Sequence, residues 1–409
     1  MQPVTWVARH GPQRPGGTGD AANVTGVSAT HSPPTHRSPV DESPGTAGSG
    51  APPEDGGTTR SGLTRFLPVL ATLGISLLVL WRTGPGKVPG PEGFEAVART
   101  WPHMPLPPEG AYVLRQGLGQ ALYHASGLVG TGHFLAFHIV TLLVAGGLLS
   151  GWMLRRLGVQ RGTIAVCLLL LSPVTAVLLE WIGIYDSFSV LVWVLMLLTL
   201  RGRWWLQLAV AVLLGVQNFE QSVVSIVLLA LLPEAGRPLG LRARPAALLA
   251  GTFVGKVVLE LYLRAEDASS GSRAAFLENP ELLHFVLKTF AQLAPIIVFT
   301  VLGALWIPVV HRLPAVWAAA TRSFRLRVLA AAAVVLGIGI LSADHTRVMV
   351  LITFPLVVVL CMRLAAAEDN VRDWLRRRET WLLLLIPPFV IVSGGSPLPL
   401  GLDLSIWGL

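Results

Sequence analysis

The sequence predicts an all-α fold, a polytopic membrane helical bundle of about eleven crossings that includes one broken-helix hairpin. Composition, the lengths of the apolar runs and the placement of arginine carry that prediction. Of 409 residues, 52% are hydrophobic and only 13% charged, where a soluble domain carries about 25% charged residues. The apolar residues fall in runs long enough to cross a hydrocarbon core, which takes about 20 residues of helix. Arginines cluster between alternate runs, as they do when basic loops stay on the cytoplasmic side.

The first element is a tail. Residues 1–62 are rich in Pro, Gly, Ser and Thr, and they have too little apolar surface to offset the entropy of ordering. They predict a disordered cytoplasmic segment, with residues 63–409 as the membrane domain. No basic stretch leads directly into an apolar run, which argues against a cleaved signal peptide. The tail's arginines (Arg9, Arg14, Arg37, Arg60) are matched by Asp20, Asp41, Glu42, Glu54 and Asp55. The formal charge of +8 therefore belongs to the membrane domain. Its basic residues flank apolar runs instead of forming one stripe, so nucleic acid is not an expected partner. Cys167 and Cys361 lie inside apolar runs and read as small core residues. His133 and His138 are five apart and fall on different helix faces, so no metal and no cofactor are expected.

The expected spans are 66–81, 131–153, 163–181, 187–200, 245–262, 290–310, 328–341, 348–362 and 381–392. The stretch 204–232 is different. As one straight helix it would reach roughly 44 Å, well past a core of roughly 30 Å. Arginines settle the orientation. Arg155, Arg156 and Arg161, Arg201 and Arg203, Arg237, Arg242 and Arg244, Arg312 to Arg327, and Arg372 to Arg378 mark cytoplasmic loops. Both ends of 204–232 are then cytoplasmic. Two short helices with a tip at Gln217-Asn218-Phe219-Glu220-Gln221 satisfy this, and a single tilted helix that breaks the charge rule is the other reading. The protein is expected in the plasma (inner) membrane, with its N-terminus inside and its C-terminus outside.

With that orientation the acids inside or beside the apolar runs gather on the external side. Glu180, Asp186, Glu220, Glu260 and Asp344 are all placed there. Ionisable groups at bilayer depth are costly and point to a site or a pathway. Asp186, in the short link Ile184-Tyr185-Asp186-Ser187, is either a helix N-cap or a functional acid. Glu220 shares the hairpin tip with Gln217, Asn218 and Gln221, whose amides either satisfy frayed helix ends or bind hydroxyls. Ser342-Ala343-Asp344-His345-Thr346-Arg347 joins two expected spans of about 14 residues, roughly 22 Å each, short enough to draw the turn inward. Asp344 and Arg347 are three apart and can pair on one helical face. They are a local ion pair, or else a phosphate fork with Asp344 or His345 as its acid/base partner. Lys256 and Glu260, four apart, read as a structural pair. Residues 110–128 alternate Tyr and Leu with Arg115, Gln116, Gln120 and His124, a pattern for a helix at the interface.

This layout resembles the GT-C class of integral-membrane glycosyltransferases over roughly residues 66–409. The resemblance rests on the many helices, the long first external loop at 82–130, and the external set Asp186, Glu220, Asp344 and Arg347. It implies transfer of a sugar from a polyprenyl-phosphate donor, with membrane lipid as a partner. Asp186, Glu220 and Asp344 would supply the acid/base chemistry, with Arg347, His345, Tyr185, Gln217, Asn218 and Gln221 binding substrate. One departure stands out. The family's catalytic aspartate lies in this loop, and residues 82–130 contain no Asp. Glu92, Glu95 and Glu109 are the acids available there. A transporter or flippase whose pathway is lined by the same polar residues is the competing expectation. A non-enzymatic partner whose polar groups only hold helices together is a third.

Overall fold

Apolar runs of this length have one way to satisfy their backbone groups away from water, and the chain takes it. In a computed structural model, residues 63–86, 90–103, 111–268, 279–342 and 344–387 are described. They form helices joined by short turns, with no β-strand among them beyond an isolated bridge between Ile182 and Ile184. The expected tail, and the last expected span from residue 388 onward, lie outside the described residues.

Helix α1 is Leu63–Thr83. The loop that follows carries α2 (Pro91–Thr100), a 3-10 turn at Ala111–Arg115 and α3 (Gly117–Ser126). Next come α4 (Thr131–Leu170), α5 (Pro173–Glu180), α6 (Asp186–Thr199), α7 (Trp204–Leu231) and the short α8 (Pro233–Gly236). The chain continues with α9 (Pro245–Ala265), α10 (Pro280–Leu302), α11 (Trp306–Ala319), α12 (Arg322–Ile340) and α13 (His345–Ala366). It closes with α14 (Val371–Arg376) and α15 (Arg378–Leu385). Seven described helical segments are long and apolar enough to cross a membrane. Helix α13 is the most enclosed of them. By contrast α1 exposes Phe66, Leu70, Leu73 and Leu77, and α9 exposes Phe253, Val257 and Leu261. Such apolar faces suit contact with lipid.

Two of the seven are doubled back on themselves. In α4 the helix breaks at Gly158, whose φ of 76° only glycine adopts without strain. A Cβ on Gly162 would sit 2.6 Å from the Leu154 Cα, whereas residues eight apart in one helix lie about 12 Å apart. The first limb matches the expected 131–153 span and the second covers only the start of the expected 163–181 span, with Arg155, Arg156 and Arg161 near the turn. In α7 the break is at Asn218, which adopts φ −161° and ψ 85°. Ser222 Oγ then reaches the Leu214 carbonyl at 3.4 Å. The flanks of α7 confirm the reversal. Arg242 N–H donates to the Leu200 carbonyl at 2.9 Å, and Gln207 bonds the backbone of both Arg242 and Arg244. A straight helix would hold those flanks about 40 Å apart. The expected hairpin is present, with its break inside the expected tip.

The outgoing limb of α7 runs parallel to α9 along a glycine seam. Gly251 faces the Leu208 carbonyl, and Gly215 and Gly255 face the Thr252 and Val212 carbonyls, each too close to admit a Cβ. Small residues are how helices approach closely where water gives no drive for association.

Other boundaries depart from expectation. Helices α12 and α13 hold 19 and 22 residues, roughly 29 and 33 Å. Short spans therefore do not draw the Asp344 turn inward; its burial comes from neighbouring side chains. The 290–310 span is instead α10 and α11, separated by a turn at Gly303 with φ of 54°. The 163–181 span is interrupted before Pro173.

Polar groups collect at two ends. One end gathers the loop helices α2 and α3 with residues 180–186, 217–221, 256–260 and 344–347. The other gathers the arginine loops. There Glu368 accepts from Arg312 at 2.9 Å and from Arg377 at 3.0 Å, while Arg161 donates to its carbonyl.

Candidate functional site

The first of the expected acids is positioned by a rigid link. Residues 181–185 join α5 to α6, and Tyr185 is buried with its hydroxyl donating to the Phe94 carbonyl of α2 at 2.9 Å. Burial and the nearby Glu95 push that phenol well above its usual range. Gln217 Nε2 donates to the Tyr185 carbonyl at 2.8 Å, and its Oε1 accepts from Gly119 N–H of α3 at 3.0 Å. His138 contacts Ser187 Oγ through Nδ1 at 2.7 Å and packs edge-on against Phe134. These contacts hold the start of α6.

Asp186 is the first residue of α6. The N-cap position belongs to Tyr185, so the capping alternative for Asp186 is replaced. Its carboxylate instead faces Arg347, with Nε to Oδ2 at 3.7 Å. Arg347 also meets Asp344, Nη2 to Oδ2 at 3.1 Å, across the expected three-residue spacing. Asp344 stands at the N-cap of α13, so both acids sit at helix N-termini, where the dipole favours negative charge. The Arg347 guanidinium lies 5.4 Å from the Trp181 ring centroid, within cation–π range. The side chains of Asp186, Arg347 and Asp344 are 4%, 13% and 23% exposed. Asp344 Oδ1 is buried and accepts no hydrogen bond.

Glu220 takes a different partner. Arg115, from the loop, reaches it at 3.3 Å and reaches Glu260 at 3.7 Å. Glu260 in turn holds Lys256 at 2.6 Å, and the Lys256 ammonium lies 5.9 Å from the Phe219 ring centroid. The three expected acids thus divide: Asp186 and Asp344 share Arg347, while Glu220 joins an alternating chain of four charges. Asn218 and Gln221 are buried between α6 and α13, bonded to each other at 2.8 Å. They border a small space with Ser189, Ser222, Leu351 and Phe354. The amides of Gln217 and Asn218 serve the protein's own backbone and tip. His345 is wholly buried, its Nδ1 on the Gly339 carbonyl at 2.7 Å and its ring against Phe290. That bond straps the start of α13 to the end of α12.

Sequence reasoning gave Arg115 and Trp181 no site role. Arg115 stood in an interfacial pattern, and its partners lie more than a hundred residues away. Trp181 stood only as the last residue of the expected 163–181 span. No signal in local spacing marks either one. Among the described residues no group of three or more His, Cys, Asp or Glu is placed to hold a metal ion. The chain matches no protein-family model, no curated protein and no solved structure.

Proposed function

We propose that this chain is a membrane transferase that moves a sugar from a polyprenyl-phosphate donor, working at the end of the bundle where Asp186, Arg347 and Asp344 meet. One observation carries the reading: a single guanidinium sits between two carboxylates, under an indole ring, at the end covered by the loop helices. A guanidinium binds two phosphate oxygens at once and stays protonated at depth. Indole gives a sugar an apolar face to rest against.

The chemistry follows from that arrangement. A donor phosphate entering at Arg347 displaces Asp344, the more exposed of the two acids. The freed carboxylate takes the acceptor hydroxyl proton. The acceptor oxygen forms its bond to the anomeric carbon as the bond from that carbon to the phosphate oxygen breaks. The electron pair leaves with the polyprenyl phosphate, whose charge Arg347 meets. Asp186 is a positioning residue that keeps the guanidinium aimed. In this reading the chain crosses the membrane about eleven times, with its tail inside. A cysteine at Pro238 then labels from inside and one at Glu92 from outside.

The test supplies purified full-length protein with polyprenyl-phosphate hexoses and pentoses and follows glycan formation. Wild type should transfer. Asp344→Asn should fall by on the order of a hundredfold, the scale of one general base. Arg347→Lys keeps the charge and should lose most of the rate. Normal transfer by both variants would reduce the pair to a turn-closing contact. The second reading, a transporter, is favoured by the broken helix beside the Arg115–Glu220–Glu260–Lys256 chain. Solute uptake into proteoliposomes with no transfer from any donor would establish it.

A further inference from the structure

The opposite end of the bundle holds a feature that the transfer reaction does not use. A cavity of about 680 Å³ opens between the end of α6, the returning limb of α7, α8, the start of α9 and the middle of α13. Its size falls within the range of about 300–1,000 Å³ that accommodates small-molecule ligands. Leu200, Leu229, Leu232, Leu356 and Val359 form an apolar wall. Arg237 and Arg242 stand at its polar side, both exposed.

The lining contains no carboxylate. The acid of α8, Glu234, is bound to Arg327 at 2.5 Å. The arginines are set on a fixed backbone: Arg242 is tied at both N–H and carbonyl, and Arg201 donates to the Gly240 carbonyl between them. An apolar chamber with two guanidiniums at its edge matches a molecule with a hydrocarbon chain and an anionic head. Basic pockets between membrane helices recognise lipid headgroups in this way.

We propose that this cavity is a binding site for an anionic phospholipid. One acyl chain lies against the leucine wall, and the phosphate sits between Arg237 and Arg242. The site stands independently of the transferase reading and of which side of the membrane it faces.

The experiment uses purified full-length protein in a neutral detergent. Phosphatidylglycerol and phosphatidylcholine with matched acyl chains are added in turn. Lipid retained is read by native mass spectrometry, and the melting midpoint is recorded in parallel. Phosphatidylglycerol should be retained and should raise the midpoint; phosphatidylcholine should do neither. Arg237→Ala with Arg242→Ala should weaken retention by on the order of twentyfold, since each basic group near a lipid surface contributes several-fold. Both positions are exposed, so the lipid-free midpoint should stay at the wild-type value. Ala230→Trp fills the chamber and leaves both arginines intact; it should abolish retention. Equal retention of the two lipids would overturn the proposal, as would an unaffected arginine double variant. Full displacement by millimolar inorganic phosphate, or unchanged retention in Ala230→Trp, would leave a surface anion site and would also overturn it.

Discussion

The two polar ends of the bundle are built on opposite plans. At the end bearing the candidate site, one arginine is held by two acids, and this happens twice. Arg347 lies between Asp186 and Asp344, and Arg115 between Glu220 and Glu260. At the other end one acid is held by two arginines, with Glu368 between Arg312 and Arg377. The first arrangement sets more carboxylates than guanidiniums around each arginine. The second keeps guanidiniums in reserve and suits anions. The same ion-pair chemistry therefore leaves carboxylates in excess at one end and guanidiniums in excess at the other.

The strongest way to break the comparison is to remove the shared cation. Arg347→Ala removes the shared arginine from the buried Asp186 and the partly exposed Asp344. It should cost about 3 kcal/mol, the scale for breaking a buried pair, and abolish transfer. Unfolding in a denaturing detergent titration measures the first and the glycan assay the second. A fully stable Arg347→Ala would show that the acids do not depend on it. The mirror experiment is Glu368→Gln, which leaves Arg312 and Arg377 without their acid. Arg377 is partly in solvent, so the expected loss is smaller, about 1–2 kcal/mol, with transfer unchanged. A drop in transfer would couple the two ends.

Glu220→Gln sharpens the contrast within one end. Arg115 keeps Glu260, and Glu220 is about a third exposed, so the expected loss is below about 1 kcal/mol. Transfer should persist, and a collapse to the level of Asp344→Asn would put Glu220 back into the chemistry. The smallest effect is one of pH. Partial burial of Glu234 opposes ionisation, but its own backbone N–H and the Arg327 hydrogen bond and charge outweigh it and hold the carboxyl below 4.5. A depressed folded-state value stabilises the protein above the unfolded value and is lost as pH falls through the folded one. Melting midpoints of wild type and Glu234→Gln should therefore converge as pH drops below about 4.5. Parallel curves through that range would remove the pair from the stability of this end.

What could be seen in the sequence was local or periodic. The break in α7 was legible because two basic loops bracketed one over-long run with a polar cluster near its middle. The pairs Asp344–Arg347 and Lys256–Glu260 were legible because helix geometry brings residues three or four apart together. The union of Asp186 with Arg347 was foreseen only as a gathering on one side, not as a shared contact. Glu220 was expected beside them and is drawn instead to Arg115, because the loop helix docks on the hairpin tip through Gly119 and Gln217. Such choices depend on which helix lies beside which, and no short-range spacing records that. Helix ends were misjudged at α12 and α13, where Arg322 to Arg327 and His345 to Arg347 are helical although charge patterning placed them in loops.

The α7 hairpin carries one more implication. Its limbs, of about 14 residues each, extend roughly 21 Å, against a hydrocarbon thickness of roughly 30 Å. The neighbouring α9, parallel to the first limb, continues past the level of the tip to Ala265. Arg115 and Gly119 occupy the depth that is left, bonded to Glu220 and Gln217. Lipid beside this hairpin must therefore thin or give way to protein. A hydrophobic barrier thinned in this way shortens the distance a polar headgroup must travel to enter.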